Sequence, residues 1–448
     1  MKKILIYLVT ITFVLMMLPG CKKFLEEKPD QKLVVPSSLE DFAALLNSAN
    51  VFNNVDLVSL EINSDDYFLT DADLASLTSE PDRRMYSLQK DFLFSPSTND
   101  WLAVYRAIYY ANIVLEGLEG SELNRNAAFN ELKGRALVFR AKCFLQAVSL
   151  WGKAYKLADD KELGIPLRLN SDFNQPSERA GLKACYDKII EDLNAAVPLL
   201  KDKSFHPFQP GKAAAYGLLS RVYLYMGRYT DSELNAALCL KIFPDLLDYN
   251  SVNIADRYPF PLYNVEQVFN TFTPPATIVG SSRAKIVPEL IGSYGVNDLR
   301  KGLYYLVTAG AYYFKGTYHQ PALFFGIATD EMYLNLAECQ VRAGMTTLGM
   351  ETLNKLLIKR YKTGTFQPII ATNAADALDK VLLERRKELV MRGLRWMDIK
   401  RLNAEGQGIV LTRNINGVSY SLSPNDKAYV MPIPEDIIAL TGMPQNER

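Results

Sequence analysis

Along most of the chain, apolar residues recur every three or four positions, which is the period of a helix with one buried face. In 101–118 the residues Trp101, Tyr105, Ile108, Leu115 and Leu118 share such a face. Asn112 falls on it too, and a buried amide there needs hydrogen-bond partners. Residues 131–151 repeat the pattern through Leu132, Val138, Phe139, Leu145 and Leu150. The same period predicts helices over 183–197, 212–227, 230–243, 330–343, 346–360 and 376–392. Gly227 and Gly344 stand where helices should stop, because glycine tolerates the left-handed cap conformation. From 244 to 329 the period is lost. Pro244, Pro259, Pro261, Pro274, Pro288 and Pro321 lie among many Gly, Tyr and Phe, which predicts loops and short strands carried on a helical scaffold. Such loops are where binding usually resides. The tail from 404 is also irregular, with a turn expected at Asn416-Gly417. The fold class is therefore expected to be mostly α, with one irregular, loop-rich half.

Two helix pairs, at 213–244 and 330–361, resemble tetratricopeptide repeats, two-helix units of ~34 residues with small residues where the helices cross. Ser220, Gly227, Ala236 and Pro244 occupy key positions of the first pair, and Ala337, Gly344, Gly349 and Leu353 those of the second. A large side chain at Ser220 or Ala337 would push two helix axes beyond their usual ~8–10 Å. Generic helical hairpins are the alternative.

The start of the chain reads as an address. Lys2 and Lys3 precede an uncharged apolar run, Ile4 to Leu18, too short for a bilayer of ~30 Å that needs ~20 residues. Leu18-Pro19-Gly20-Cys21 resembles the lipobox of bacterial lipoproteins, in which the cysteine becomes the acylated mature N-terminus. Residues 1–20 are then a lipoprotein signal peptide. Cys21 is the lipid anchor, and two or more acyl chains hold a membrane stably. Lys22 to Asp30 forms a polar leash whose Lys-then-acidic pattern resembles the export tag to the outer face in Bacteroidetes. An ordinary signal peptide cut elsewhere is the alternative. Residues 21–448 are expected to form a single domain, with the loop-rich insertion at about 245–329.

Composition removes several function classes. Lys and Arg total 50 against 50 Asp and Glu, with no basic run, so nucleic acid is not an expected partner. The only histidines, His206 and His319, are far apart, so no zinc site of several histidines is expected, and no other metal or cofactor is implied. No phosphate loop or G-x-S-x-G elbow occurs. Cys143, Cys185, Cys239 and Cys339 lie in helical stretches without CxxC spacing and read as small buried side chains, not a disulfide framework. Tyr (25) and Phe (21) exceed what a core needs and suggest a surface that stacks on something.

The C-terminal third carries a more specific pattern. Glu384-Arg385-Arg386-Lys387-Glu388-Leu389 and Gly393-Leu394-Arg395-Trp396-Met397-Asp398, ending at Arg401, resemble the E-R-R-x-E-L-x-x-x-G-x-R-W-x-D-x-x-R motif of the SusD/RagB family. Met431-Pro432-Ile433-Pro434 and Gln445-Asn446 resemble its closing segments; Trp101 to Asn112, Arg140 to Trp151 and Glu331 to Arg342 resemble earlier ones. Read from the residues alone, Leu383, Val390, Leu394 and Met397 form an apolar stripe beside a charged one of Glu384, Glu388, Arg392 and Arg395, which points to a structural role for the block. The resemblance implies a SusD-like fold with an irregular ligand-facing half. It further implies an extracellular lipoprotein on the outer membrane that passes oligosaccharides, or in some relatives peptides, to a SusC-like TonB-dependent transporter.

Family ligand residues follow no linear motif. Ser64-Asp65-Asp66-Tyr67-Phe68 resembles a polar S-D-D stretch that lies near the ligand surface in relatives, and its paired carboxylates and rings suit sugar hydroxyls and C–H faces, although Asp and Ser also favour plain turns. Asn99 and Trp101 begin a helix, where Asn99 would also serve as an N-cap and Trp101 as core. Tyr312 and Tyr313 lie in the irregular segment, where strand packing is the alternative. No catalytic residue is expected. Asp65 and Asp66 are adjacent rather than facing across a sugar, and Glu384 and Glu388 sit among arginines that favour the charged form over a general acid. A non-binding scaffold for the transporter is the remaining rival.

Overall fold

The computed structural model describes residues 36–274 and 276–448. The apolar leader, Cys21 and the leash lie outside the described residues. Three short helices open the described chain, α1 (Leu39–Leu46), α2 (Ala49–Phe52) and α3 (Ser59–Ile62). Ser38 starts α1 with a reciprocal capping box to Asp41. A two-residue strand, β1 (Tyr67–Phe68), and the helices α4 (Asp71–Ala75) and α5 (Glu80–Tyr86) follow. The long helices α6 (Asp100–Glu119) and α7 (Ala127–Trp151) then pack together. On α6 the predicted stripe is the inner face. Asn112 finds its partners there: its amide donates to the carbonyls of Arg168 (2.9 Å) and Asn170 (3.0 Å) and its oxygen accepts from Arg140 Nη1 (2.9 Å). A β-ribbon, β2 (Leu163–Pro166) with β3 (Arg179–Gly181), leads into α8 (Leu182–Ala196).

Where the sequence placed repeat-like pairs, the chain forms two helical hairpins. The first is α9 (Lys212–Met226) with α10 (Tyr229–Ile242), turned at Gly227 with φ +74°. Ser220 Oγ lies 3.2 Å from Ser232 Oγ across its crossing, so only a small residue fits there. The irregular region between the hairpins contains β4 (Gln267–Phe269), β5 (Lys285–Ile286), α11 (Pro288–Gly292), α12 (Arg300–Tyr304), β6 (Tyr305–Thr308), β7 (Ala311–Phe314) and β8 (Ile327–Ala328). The second hairpin is α13 (Thr329–Arg342) with α14 (Thr346–Leu357). At its crossing a Cβ on Gly349 would sit 2.5 Å from Val341 and 2.9 Å from the Ala337 carbonyl. The chain continues through α15 (Ala374–Glu388), α16 (Arg395–Asn403), the hairpin β9 (Leu411–Ile415) with β10 (Val418–Leu422), and α17 (Glu435–Thr441). The β9–β10 turn is Asn416-Gly417, both at positive φ, as that dipeptide favours. Residues 38–448 form one compact unit. No helix among the described residues is long and apolar enough to cross a membrane.

One expectation fails. The helix predicted to run to 392 ends at Glu388, and the chain turns through Met391 (φ +58°) and Gly393 (φ +68°) before α16 begins. At Gly393 a Cβ would lie 2.2 Å from the Phe325 ring. Val390, Leu394 and Met397 are buried, whereas Leu383 is 46% exposed, because a single stripe would need a single helix. The charged residues of the block are nonetheless interior. Arg300 contacts Asp298 (2.7 Å), Glu384 (2.6 Å) and Glu388 (2.9 Å), and Arg360 contacts Glu266 (2.8 Å) and Glu388 (2.7 Å). Arg401 bridges Asp398 (2.8 Å) and Glu338 (2.6 Å), and Arg385 joins Asp398 (2.8 Å). These pairs tie α13, α15 and α16 to the irregular region. Cys143, Cys185, Cys239 and Cys339 are buried free thiols.

Candidate functional site

A four-stranded antiparallel sheet, ordered β1-β5-β7-β6, gathers segments that lie far apart in the chain. Its register sets Phe68 opposite Lys285, Lys285 opposite Tyr313, and Tyr313 opposite Leu306. Side chains alternate across a sheet, so this row occupies one face and the Tyr67–Ile286 pair the other. Phe68 and Leu306 are exposed and Tyr313 is half-buried, whereas Tyr67 and Ile286 are buried. The Tyr67 hydroxyl donates to the Ile62 carbonyl at 2.9 Å, so Tyr67 offers a ring but no free hydroxyl. Lys285 Nζ pairs with Asp73 (2.5 Å) and lies 5.3 Å from the Tyr313 ring centre. Tyr312 packs edge-on against Tyr305, 6.2 Å between centres.

Beside β1 opens a groove of about 490 Å³, within the range that takes a small ligand. Tyr67, Tyr86 and Arg413 form part of its lining, as do Asp65, Arg386 and Phe68; Glu289 and Asn414 also border it. Tyr86 is fixed because its hydroxyl accepts from Leu69 N at 2.8 Å. Asp65 receives Arg395 through Nε (2.6 Å) and Nη2 (2.8 Å), and Asp66 receives Arg386 Nε (2.7 Å). Burial alone would raise the Asp65 carboxyl, but Arg395, Arg386 and Arg413 together hold it well below the usual carboxylate range. Asp66 is pushed up by burial, opposed by Arg386 and reinforced by the charge of Asp65. Beneath them Glu61 accepts from Ser64 Oγ (2.7 Å) and Gly393 N (2.9 Å), and burial, then Asp66, push it up to about 8.

Arg413 enters from β9. Its guanidinium donates to the carbonyls of Tyr67 (3.3 Å), Ile62 (3.3 Å) and Ser64 (2.5 Å) and lies 4.6 Å from the Tyr86 ring centre. Neither Arg413 nor Tyr86 was singled out from sequence. The Asn416-Gly417 turn announced the hairpin, but not which earlier segment it covers.

Four sequence candidates do not line this groove: Tyr312 and Tyr313, on β7, and Asn99 and Trp101, at the start of α6. Asn99 caps α6: its oxygen accepts from Leu102 N (2.9 Å) and its amide donates to the Ser95 carbonyl (2.6 Å). Trp101 is buried, stacked on Tyr105 at 4.6 Å and edge-on to Trp151 at 4.9 Å. It borders a separate hollow of about 250 Å³ with Tyr109 and Phe173, the latter 77% exposed. Among the described residues no cluster of His, Cys, Asp or Glu could hold a metal ion.

A mostly helical scaffold with an irregular, loop-rich half is the fold of the SusD type. Residues 23–224 match a SusD-like family model described as starch-binding and associating with the outer membrane, and residues 314–447 match the SusD family model. The chain belongs to the SusD/RagB family. It is 27% identical over 153 residues to SusD-like protein P25 of Formosa agariphila, a match covering 30% of this chain and 28% of that relative, so the chain spans little more than a quarter of its length. A SusD superfamily protein from Bacteroides thetaiotaomicron has the same fold, with TM-score 0.74 at 22% identity over 92% of this chain and 100% of that one. So has one from Bacteroides fragilis, with TM-score 0.75 at 19% identity over 91% and 99%. A SusD-like carbohydrate binding protein from Bacteroides vulgatus gives 0.68 at 17% identity over 91% and 97%. Members of this family are binding proteins rather than enzymes.

Proposed function

We propose that the chain is a cell-surface lipoprotein, anchored through Cys21 to the outer face of the outer membrane, that binds nutrient oligosaccharides and delivers them to a SusC-like TonB-dependent transporter. The observation that carries the binding reading is the sheet groove, where rings and fixed polar groups converge. The C–H faces of a sugar stack on Phe68, the exposed ring in the groove lining. Its hydroxyls donate to Asp65, already charged and oriented by Arg395, and accept from Arg386 and Asn414. Asp65, held deprotonated, suits accepting sugar hydroxyls and is a poor proton donor to a leaving group. That the Bacteroides vulgatus relative is named a carbohydrate binding protein supports sugar over peptide as the ligand class.

Calorimetry of the purified protein against a glycan panel and a peptide panel tests this. Replacing Phe68 with alanine is expected to weaken sugar binding roughly five- to ten-fold, the scale of one lost ring contact. Wild-type affinity in that variant would remove the groove as the site. Retained transporter binding with no sugar or peptide bound would favour the scaffold role. Cys21→Ala is expected to release the protein from membranes, and unchanged membrane retention would contradict the anchor.

A further inference from the structure

We infer that the groove selects oligosaccharides bearing an acidic group, a carboxylate or a sulfate ester, over neutral ones. This rests on the groove being the ligand site. The argument begins with charge. Under the groove three guanidinium groups, Arg386, Arg395 and Arg413, meet two carboxylates, Asp65 and Asp66. Arg395 is committed to Asp65 by two hydrogen bonds. Arg386 spends Nε on Asp66 and Nη2 on the Asp65 carbonyl. Arg413 donates only to backbone carbonyls, and no carboxylate lies within ion-pair distance of it among the described residues.

Arg413 is also 97% withdrawn from solvent, and its Nε is buried without a hydrogen-bond partner although the side chain lines the groove. A buried cation with no direct ion pair is costly; Asp65 acts on Arg413 only at a distance and already serves Arg395, so an anion placed nearby relieves that cost. Glu61, the remaining acid beneath the groove, does not supply the charge, since burial keeps its proton on at neutral pH. Arg386 is the group a ligand can reach. Its side chain is 24% exposed, and its two engaged nitrogens leave Nη1 for a ligand oxygen. A guanidinium matches the oxygens of a carboxylate or sulfate better than a lone hydroxyl. Two lining acids oppose this preference: Asp65, largely offset by Arg395, and Glu289, exposed at the rim and in no guanidinium pair among the described residues, which limits how tightly an anion is held.

The test is calorimetry of the full chain in detergent with three probes, tetragalacturonate, a sulfated carrageenan tetrasaccharide and maltotetraose, at low and high salt. At least one acidic probe is expected to bind ten-fold or more tighter than maltotetraose, on the scale of one charge-assisted hydrogen bond, and to weaken several-fold in salt. Whichever acidic probe wins distinguishes carboxylate from sulfate. Arg386→Gln is expected to abolish the preference. Glu289→Gln, at an exposed position that does not threaten folding, is expected to raise acid-probe affinity roughly two- to five-fold relative to maltotetraose. Maltotetraose binding as tightly as both acidic probes, or no effect of Glu289→Gln on their ratio, overturns the inference while leaving the groove as a sugar site. No binding by any probe overturns both.

Discussion

The ion network around Glu384, Glu388 and Asp398 and the charges of the groove contrast in one respect. In that network, Arg300, Arg360 and Arg401 are each matched by carboxylates at 2.6–2.9 Å, all inside the protein. In the groove, Arg413 is equally buried but hydrogen-bonds only to carbonyls, with Asp65 acting on it at a distance. Closed ion networks fix geometry, because removing one member strands the others. An incomplete one leaves a site whose electrostatics a ligand can finish. The same residue types therefore hold the fold in one place and make chemistry available in the other.

The contrast is broken most severely at Glu388, which serves Arg300 and Arg360 at once. Glu388→Ala is expected to cost about 3–5 kcal/mol in urea denaturation. A variant within 0.5 kcal/mol of wild type would show that the network is not what fixes these elements. Next is pH. Glu61 binds its proton more tightly folded than unfolded, so its contribution is complete below the ordinary value of 4.5 and disappears as pH rises through about 8. Over that window stability should fall by an amount on the order of a few kcal/mol, and Glu61→Gln should flatten the slope. Asp398 in the network behaves oppositely. Burial would raise it, but Arg385 and Arg401 bring it down to about 2, so its contribution is present above the ordinary value of 3.8 and is lost as acid approaches 2. A thermal-melting series over pH 2–9 separates the two regions; parallel curves for Glu61→Gln and wild type would refute the groove half. Gly393→Ala, forced to positive φ with a Cβ against Phe325, should cost about 1–3 kcal/mol. Smallest is Phe68→Ala, which should change stability by less than about 0.5 kcal/mol, since the ring is exposed. A larger loss would make Phe68 a packing residue rather than a ligand platform.

How much of this was legible in sequence depended on distance along the chain. The long helices at 101–118 and 131–151 were legible because their apolar spacing is a local property, and Asn112 advertised its need for partners by its place on the inner face. The break after Glu388 was not. A left-handed methionine at 391 has no propensity signal, and Gly393 alone did not outweigh a continuing helical period. Asp65, Asp66 and Phe68 were legible as candidates, and Tyr313 as another, but not their common sheet, which depends on pairings across more than two hundred residues. Arg413 was invisible because its meaning lies in the absence of a direct ion pair, which only three dimensions reveal.

The stretch from Ser64 to Tyr67 is gripped by Arg386, Arg395 and Arg413, residues 320 to 349 positions later. It leaves the ribosome early and must wait for nearly the whole polypeptide before its clasps arrive. Chains cut short of residue 413 would emerge with that stretch unfastened, so its fastening depends on segments made more than three hundred residues later.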